Sequence, residues 1–267
     1  MPLILPLFAF IFGTAIGSFL NVVAIRLPKR RKFLQLNQRS KCPNCRHVLH
    51  TPDLVPIVSY LSLRGRCRYC RKPISPQYML LELITGVTFA LLVWQYGVSG
   101  TTFVGLIGAS FLIALGTIDA RLKIVPDNLS LPAILVTFLA QVLVISDFGV
   151  NGFNAAMLRS LCGLVIGAII GVLWFWLQWV VSRGKWVGTG DIRLGALLGV
   201  FLGMPLALVA LFLAYITGSI WAVALLARRK VKFSSAIPFG AFLALAGVIA
   251  FIFGPAVVSW YQQFIGL

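Results

Sequence analysis

Long unbroken apolar runs dominate this sequence. They lie at residues 2–25, 80–97, 102–118, 129–146, 159–182, 192–227 and 237–260. About 20 apolar residues are needed to cross a bilayer as a helix, and most of these runs reach or approach that length. A membrane barrel would instead show short segments of alternating polarity. Only 11% of residues are charged and mean hydropathy is +0.97, too little charge to cover the surface of a soluble domain. A soluble enzyme, a disordered chain and a disulfide-rich secreted module are excluded. The run at 192–227 is too long for one span and contains Gly203-Met204-Pro205, where a break is expected. Splitting it there gives eight spans, the first half of the pair being short. Residues 2–25 have no basic segment in front and read as a retained helix rather than a cleaved signal.

The charges supply a topology. There are 23 Lys and Arg against six acids, for a net charge of +17. In a soluble protein that balance would suggest nucleic acid. In a membrane protein it marks loops held on the cytoplasmic side. Thirteen basic residues lie in 26–78, two in 119–128, three in 183–193 and four in 228–232. The alternate loops, near 98–101, 147–158 and 203–205, hold none, and only Arg159 is out of place. Eight spans therefore put 22 of the 23 on one side, whereas seven would break the alternation. The expected class is an all-α polytopic membrane protein of about eight transmembrane helices. The expected divisions are a first helix (1–25), a small cytoplasmic domain (26–78) and a seven-helix membrane domain (79–267).

The polar segment carries Cys42-Pro-Asn-Cys45 and Cys67-Arg-Tyr-Cys70. Two CxxC pairs, each presenting two thiolates from one tight turn, suit a tetrahedral Zn²⁺ in a zinc-ribbon-like domain. Disulfides or a redox pair would use the same residues, but a cytoplasmic location disfavours stable disulfides. His47 and His50 read as surface residues beside a complete four-cysteine set. Cys162, alone in an apolar run, reads as a small packing residue.

Half of the acids gather at span ends on the basic side: Asp119, Asp127 in Pro126-Asp127, and Asp191 in Gly188-Thr-Gly190-Asp191. Ionisable groups at such positions mark function by default. Two carboxylates in a low-dielectric site share a proton, one activating water and the other protonating the carbonyl or leaving amine. Gly188 and Gly190 would permit a sharp turn and close approach of a substrate backbone. The structural alternatives are an N-cap on the fourth span for Asp127, and salt bridges to Arg121, Lys123 or Arg193 for Asp119 and Asp191. A transporter or assembly factor that couples protons or cations would instead place its acids near the bilayer midplane.

The chain resembles bacterial type IV prepilin peptidases, the GxGD-type membrane aspartyl proteases. The resemblance rests on Gly17 through Pro28, the two CxxC pairs, Pro56 through Cys67, Asp119 through Pro132, Gly188 through Asp191, and Ile237-Pro-Phe-Gly240. These stretches run nearly end to end in the family's order. The resemblance implies removal of the short basic leader of prepilins and pseudopilins, after a glycine, at the cytoplasmic face of the inner membrane. It further implies methylation of the new N-terminus with S-adenosylmethionine, with Asp119 and Asp191 catalytic and Asp127 a supporting member of the motif. A peptidase that has lost methylation is the near alternative. The excess positive charge fits contact with anionic lipids rather than with a basic leader or nucleic acid. No Gly-rich nucleotide fingerprint is present to place the S-adenosylmethionine site.

Overall fold

The computed structural model describes residues 3–29, 39–147, 155–229 and 237–266. The expected loops at 147–158 and 228–232 fall largely outside these ranges. Nine α-helices occur among the described residues, with no β-strand beyond two isolated bridges. Seven helices are long and apolar enough to cross a membrane: α1 (Ile4–Arg26), α3 (Gln77–Tyr96), α4 (Gly100–Leu122), α5 (Asp127–Asp147), α6 (Ala155–Ser182), α8 (Leu206–Ala227) and α9 (Phe239–Phe264). Two are shorter: α2 (Val58–Ser62) and α7 (Thr189–Leu202). The chain is a multi-pass membrane protein, and it divides into two compact units, Met1–Gly97 and Val98–Leu267.

The expected break in the long run is present. Helix α7 ends at Leu202, Gly203 takes a left-handed φ of +64°, and α8 begins at Leu206. The freed carbonyls at this end find partners: Gln141 Nε2 donates to the Phe201 carbonyl at 2.7 Å. With 14 residues, α7 is about 21 Å long, short of the ~30 Å hydrocarbon core. It is nonetheless the best-buried helix of its unit, with Leu194, Leu197, Leu198 and Phe201 sealed from solvent.

Helix α7 is held by a glycine seam. Gly163, Gly167 and Gly171 recur every fourth residue on α6, as do Gly195, Gly199 and Gly203 along α7 and its cap. The two helices run antiparallel, so Gly167 meets Gly199 and Gly171 meets Gly195. A Cβ built on Gly199 would lie 2.2 Å from the Gly167 backbone. Lipid tails are as apolar as leucine, so membrane helices associate by such close backbone approach rather than by hydrophobic burial. Gly199→Ala should therefore force the helices apart and cost about 1–3 kcal/mol. The check is a lowered unfolding midpoint in detergent. Gly188→Ala should leave that midpoint unchanged, because its Cβ would find no atom nearer than 3.9 Å.

In the first unit α1 packs on α3 by the same means. Gly13 and Gly17 of α1 face Phe89 and Glu82 of α3, while Gly86 of α3 faces Thr14 and Phe10. Cys162 corrects its expected role: it lies exposed on α6 rather than packed. That is the surface a spanning helix turns toward lipid, where a small, weakly polar thiol is tolerated.

Candidate active site and cysteine cluster

Asp119 stands in the last turn of α4 and is buried, with 6% of its surface exposed. Its carboxylate lies over the N-terminus of α9. Oδ2 accepts the Ala241 N–H at 3.0 Å, and the Gly240 N–H is a second donor. These are orphan amides of a helix start, which a carboxylate satisfies well. Gly240 is required by the approach: a Cβ there would fall 2.9 Å from Asp119 Oδ2 and 2.8 Å from Leu194 Cδ1. The start of α9 thus touches both Asp119 and the first part of α7.

Asp191 is the third residue of α7 and is half-buried. Its Oδ2 accepts the Gly188 N–H at 3.0 Å. The charge of Asp191 reaches the Asp119 carboxylate. The two glycines of the motif have different uses. Gly190 allows the loop after α4 to close on α7, since a Cβ would meet Val125 Cβ at 2.8 Å. Gly188 is exposed with φ −86°, a conformation open to any residue, so the fold itself does not require a glycine there.

The expected alternatives for the acids resolve differently. Arg193 pairs with Asp127, and not with Asp119 or Asp191. Asp127 is not the cap of its helix: Pro126 takes that position and its carbonyl accepts the Ser130 N–H. Asp127 opens α5 in its first turn and ties that turn to α7, two residues beyond Asp191. The acids lie at helix ends rather than midway, unlike an ion-coupling transporter. The sequence did not reveal the α9 amides, which lie 122 residues from Asp119. Their signal was the proline before Phe239-Gly240, a usual helix opening.

The four cysteines of the first unit also converge. The Sγ atoms of Cys42, Cys45, Cys67 and Cys70 lie within 4.8 Å of one another. They sit on two copies of one turn. Cys42 N donates to the His47 carbonyl and Arg46 N to that of Cys42; 25 residues on, Cys67 N donates to Lys72 and Arg71 N to Cys67. Each turn is closed by one antiparallel bridge, Lys41 with Val48 and Arg66 with Pro73. Arg46 and Arg71 occupy equivalent left-handed positions, at φ 59° and 58°. Burial acts against the Cys42 thiolate, but N–H groups of Cys45 and Asn44 and neighbouring thiols outweigh it, and the pKa falls to about 7. Such a donor set fits a metal ion.

His47 and His50 are exposed, and the His47 ring lies tilted against Tyr69 with ring centroids 3.7 Å apart. Asp53 joins the turns. Its carboxylate accepts Arg68 Nε at 2.6 Å, Tyr69 Oη at 3.0 Å and the His50 N–H at 3.2 Å. Burial alone would raise its pKa, yet these bonds hold it below its ordinary value.

Comparisons with known proteins identify a family. The family model described as the bacterial peptidase A24 N-terminal domain matches residues 11–96, and that of the type IV leader peptidase family matches residues 106–223. A prepilin leader peptidase/N-methyltransferase of Stutzerimonas stutzeri is 32% identical, over 98% of this chain and 96% of the relative. Proteins of the same name are 32% identical in Pseudomonas aeruginosa, over 99% and 96%, and 35% identical in Neisseria gonorrhoeae, over 97% and 95%. No solved structure matches. The paired acids at the ends of membrane helices, the cysteine turns and the near-complete alignment lead to one conclusion: the chain belongs to the type IV leader peptidase family.

Proposed function

We propose that this chain is a membrane aspartyl endopeptidase that cuts the leader from type IV prepilins and pseudopilins and then N-methylates the new N-terminus. The observation that carries the reading is Asp119 from α4, held by the α9 N-terminus, within the field of Asp191 from α7. In this reading the two share one proton. The ionised carboxylate takes a proton from water, whose oxygen attacks the scissile carbonyl carbon. The protonated partner gives its proton to the carbonyl oxygen. Collapse of the tetrahedral diol breaks the C–N bond, and the proton taken from water passes to the leaving amine. The exposed, side-chain-free Gly188 leaves room for a substrate backbone next to Asp191. Gly190 and Asp127 support the dyad by fixing α7 against the loop after α4 and the start of α5.

Residues 26–78 serve as the metal domain and the helices of 79–267 carry the peptidase. Cys42, Cys45, Cys67 and Cys70 would hold Zn²⁺, a structural ion because protein thiolates fill all four positions. S-adenosylmethionine, when bound, supplies the methyl group. The basic loops lie in the cytoplasm of a bacterial inner membrane, against anionic lipid, and the dyad sits on that side. Reporter fusions after residues 60, 125 and 187 should accordingly read cytoplasmic, and those after 99 and 204 external. A cytoplasmic signal after 204 would overturn this orientation. The function itself is tested by mass spectrometry of a prepilin incubated with the purified protein. Loss of the leader is expected without S-adenosylmethionine, with one added methyl group in its presence. An intact leader contradicts the reading.

A further inference from the structure

Residues 54–63 differ from the rest of the basic segment around them. Thirteen basic residues lie in 26–78, yet Leu54 through Leu63 carries no charge, and Arg64 and Arg66 follow at once. The stretch, which includes α2, has two faces. Ile57, Tyr60 and Leu63 are half-buried, and Tyr60 Oη donates to the Ile74 carbonyl at 3.4 Å. Leu54, Val55, Val58 and Leu61 are exposed among the described residues, the last two at 61% each. Large apolar side chains gathered in one short exposed stretch mark a surface that is covered in use. Its depth is set by one bond. The Ile57 N–H donates to Glu82 Oε2 at 2.8 Å, and Ser18 bonds the same carboxylate. Ser18 lies eight residues before the Arg26 end of α1, about 12 Å along the helix. Helix α3 has 20 residues and is about 30 Å long, which is the thickness of the hydrocarbon layer. Its start at Gln77 therefore marks the edge of that layer, and Glu82 lies inside it. Ile57 holds φ +60° at this contact, a conformation β-branched residues avoid, so the bond to α3 fixes where the stretch turns.

We propose that Leu54, Val55, Val58 and Leu61 insert into the lipid surface on the basic side of the membrane and dock the cysteine turns against it. Lipid is the occupant because the Glu82 bond already holds the stretch at the level of the acyl chains. Irregular backbone is excluded from lipid-facing hydrocarbon, so insertion stops at the boundary between headgroups and chains. The backbone suits that place: the N–H groups of Leu54, Ile57, Ser59 and Leu61 all have partners within the protein. Arg64 and Arg66, both exposed, then meet anionic headgroups. Cys67 follows directly, so the second cysteine turn is held at the membrane surface by the segment that precedes it.

The test uses the full-length protein in vesicles of phosphatidylethanolamine and phosphatidylglycerol that contain a phosphatidylcholine with a diazirine in its acyl chain. After irradiation and digestion, mass spectrometry should find lipid attached to Leu54, Val55, Val58 or Leu61, with α1 labelled as the positive control. The double variant Val58→Asp/Leu61→Asp should lower that label about tenfold or more, because two charges would have to enter the apolar layer. Its zinc content and unfolding temperature in detergent should match the wild type, since both side chains are exposed. The wild-type labelling stands by itself if the variant fails to fold. Label on α1 with none on residues 54–61 overturns the insertion, as does undiminished label in a folded double variant. Label that excess prepilin displaces would give the surface to a protein partner and overturn the lipid assignment.

Discussion

Asp119→Asn and Asp191→Asn should each lower prepilin cleavage by roughly 10²–10⁴-fold, the usual worth of a positioned proton-transfer group. An amide keeps the size of the side chain and an acceptor for the Ala241 or Gly188 N–H, so the helices should remain in place. What it removes is the group that can hold or release the shared proton. Zinc content and unfolding temperature should stay near those of the wild type, which separates loss of chemistry from loss of fold. Asp127→Asn should behave differently. Its carboxylate is 66% exposed and pairs with Arg193. Partly exposed pairs contribute up to about 1 kcal/mol, so cleavage should fall by no more than several-fold. Cleavage assays of the three variants decide the assignment: inactive Asp127→Asn with active Asp119→Asn would make Asp127 the partner of Asp191.

Replacing Cys42 and Cys67 together by Ser should abolish bound zinc. Purified wild-type protein should hold about one tightly bound Zn²⁺ per chain, while the variant holds none. Binding at four-thiolate sites is worth about 10–16 kcal/mol, more than a segment of this size gains from its own small core. The two cysteine turns are each closed by a single bridge, and among the described residues Asp53, the His47–Tyr69 ring contact and the cysteines themselves link them. Hydrogen exchange across residues 40–75 should therefore rise sharply in the variant while α4 to α9 remain protected. Absence of zinc from wild-type protein with all four thiols reduced and unblocked would refute the metal assignment.

Local features of the sequence transferred well to the structure. Apolar runs marked the spans because backbone groups in lipid must bond within their own helix. Gly203-Met204-Pro205 marked the α7–α8 break because it combines a left-handed turn with a residue lacking an N–H. The CxxC pairs marked the cysteine cluster because each pair fits one tight turn. What the sequence concealed was pairing between distant elements. The seam of Gly163, Gly167 and Gly171 against Gly195 and Gly199 is visible as spacing, but spacing does not name its partner. Asp127 looked like a cap by position, and only the fold brings Arg193 to it. The α9 amides on Asp119 and the Ile57 bond to Glu82 likewise arise from contacts between separate elements.

That Asp119 and Asp191 work as one unit is the centre of this account, and the double variant Asp119→Asn/Asp191→Asn tests it most directly. Residues sharing one catalytic step are strongly non-additive, because losing either already removes the step. Residual kcat/KM for prepilin cleavage should be the same in the double variant as in either single one. A double variant whose loss is the product of the two single losses would show the carboxylates acting independently and would contradict the shared-proton mechanism.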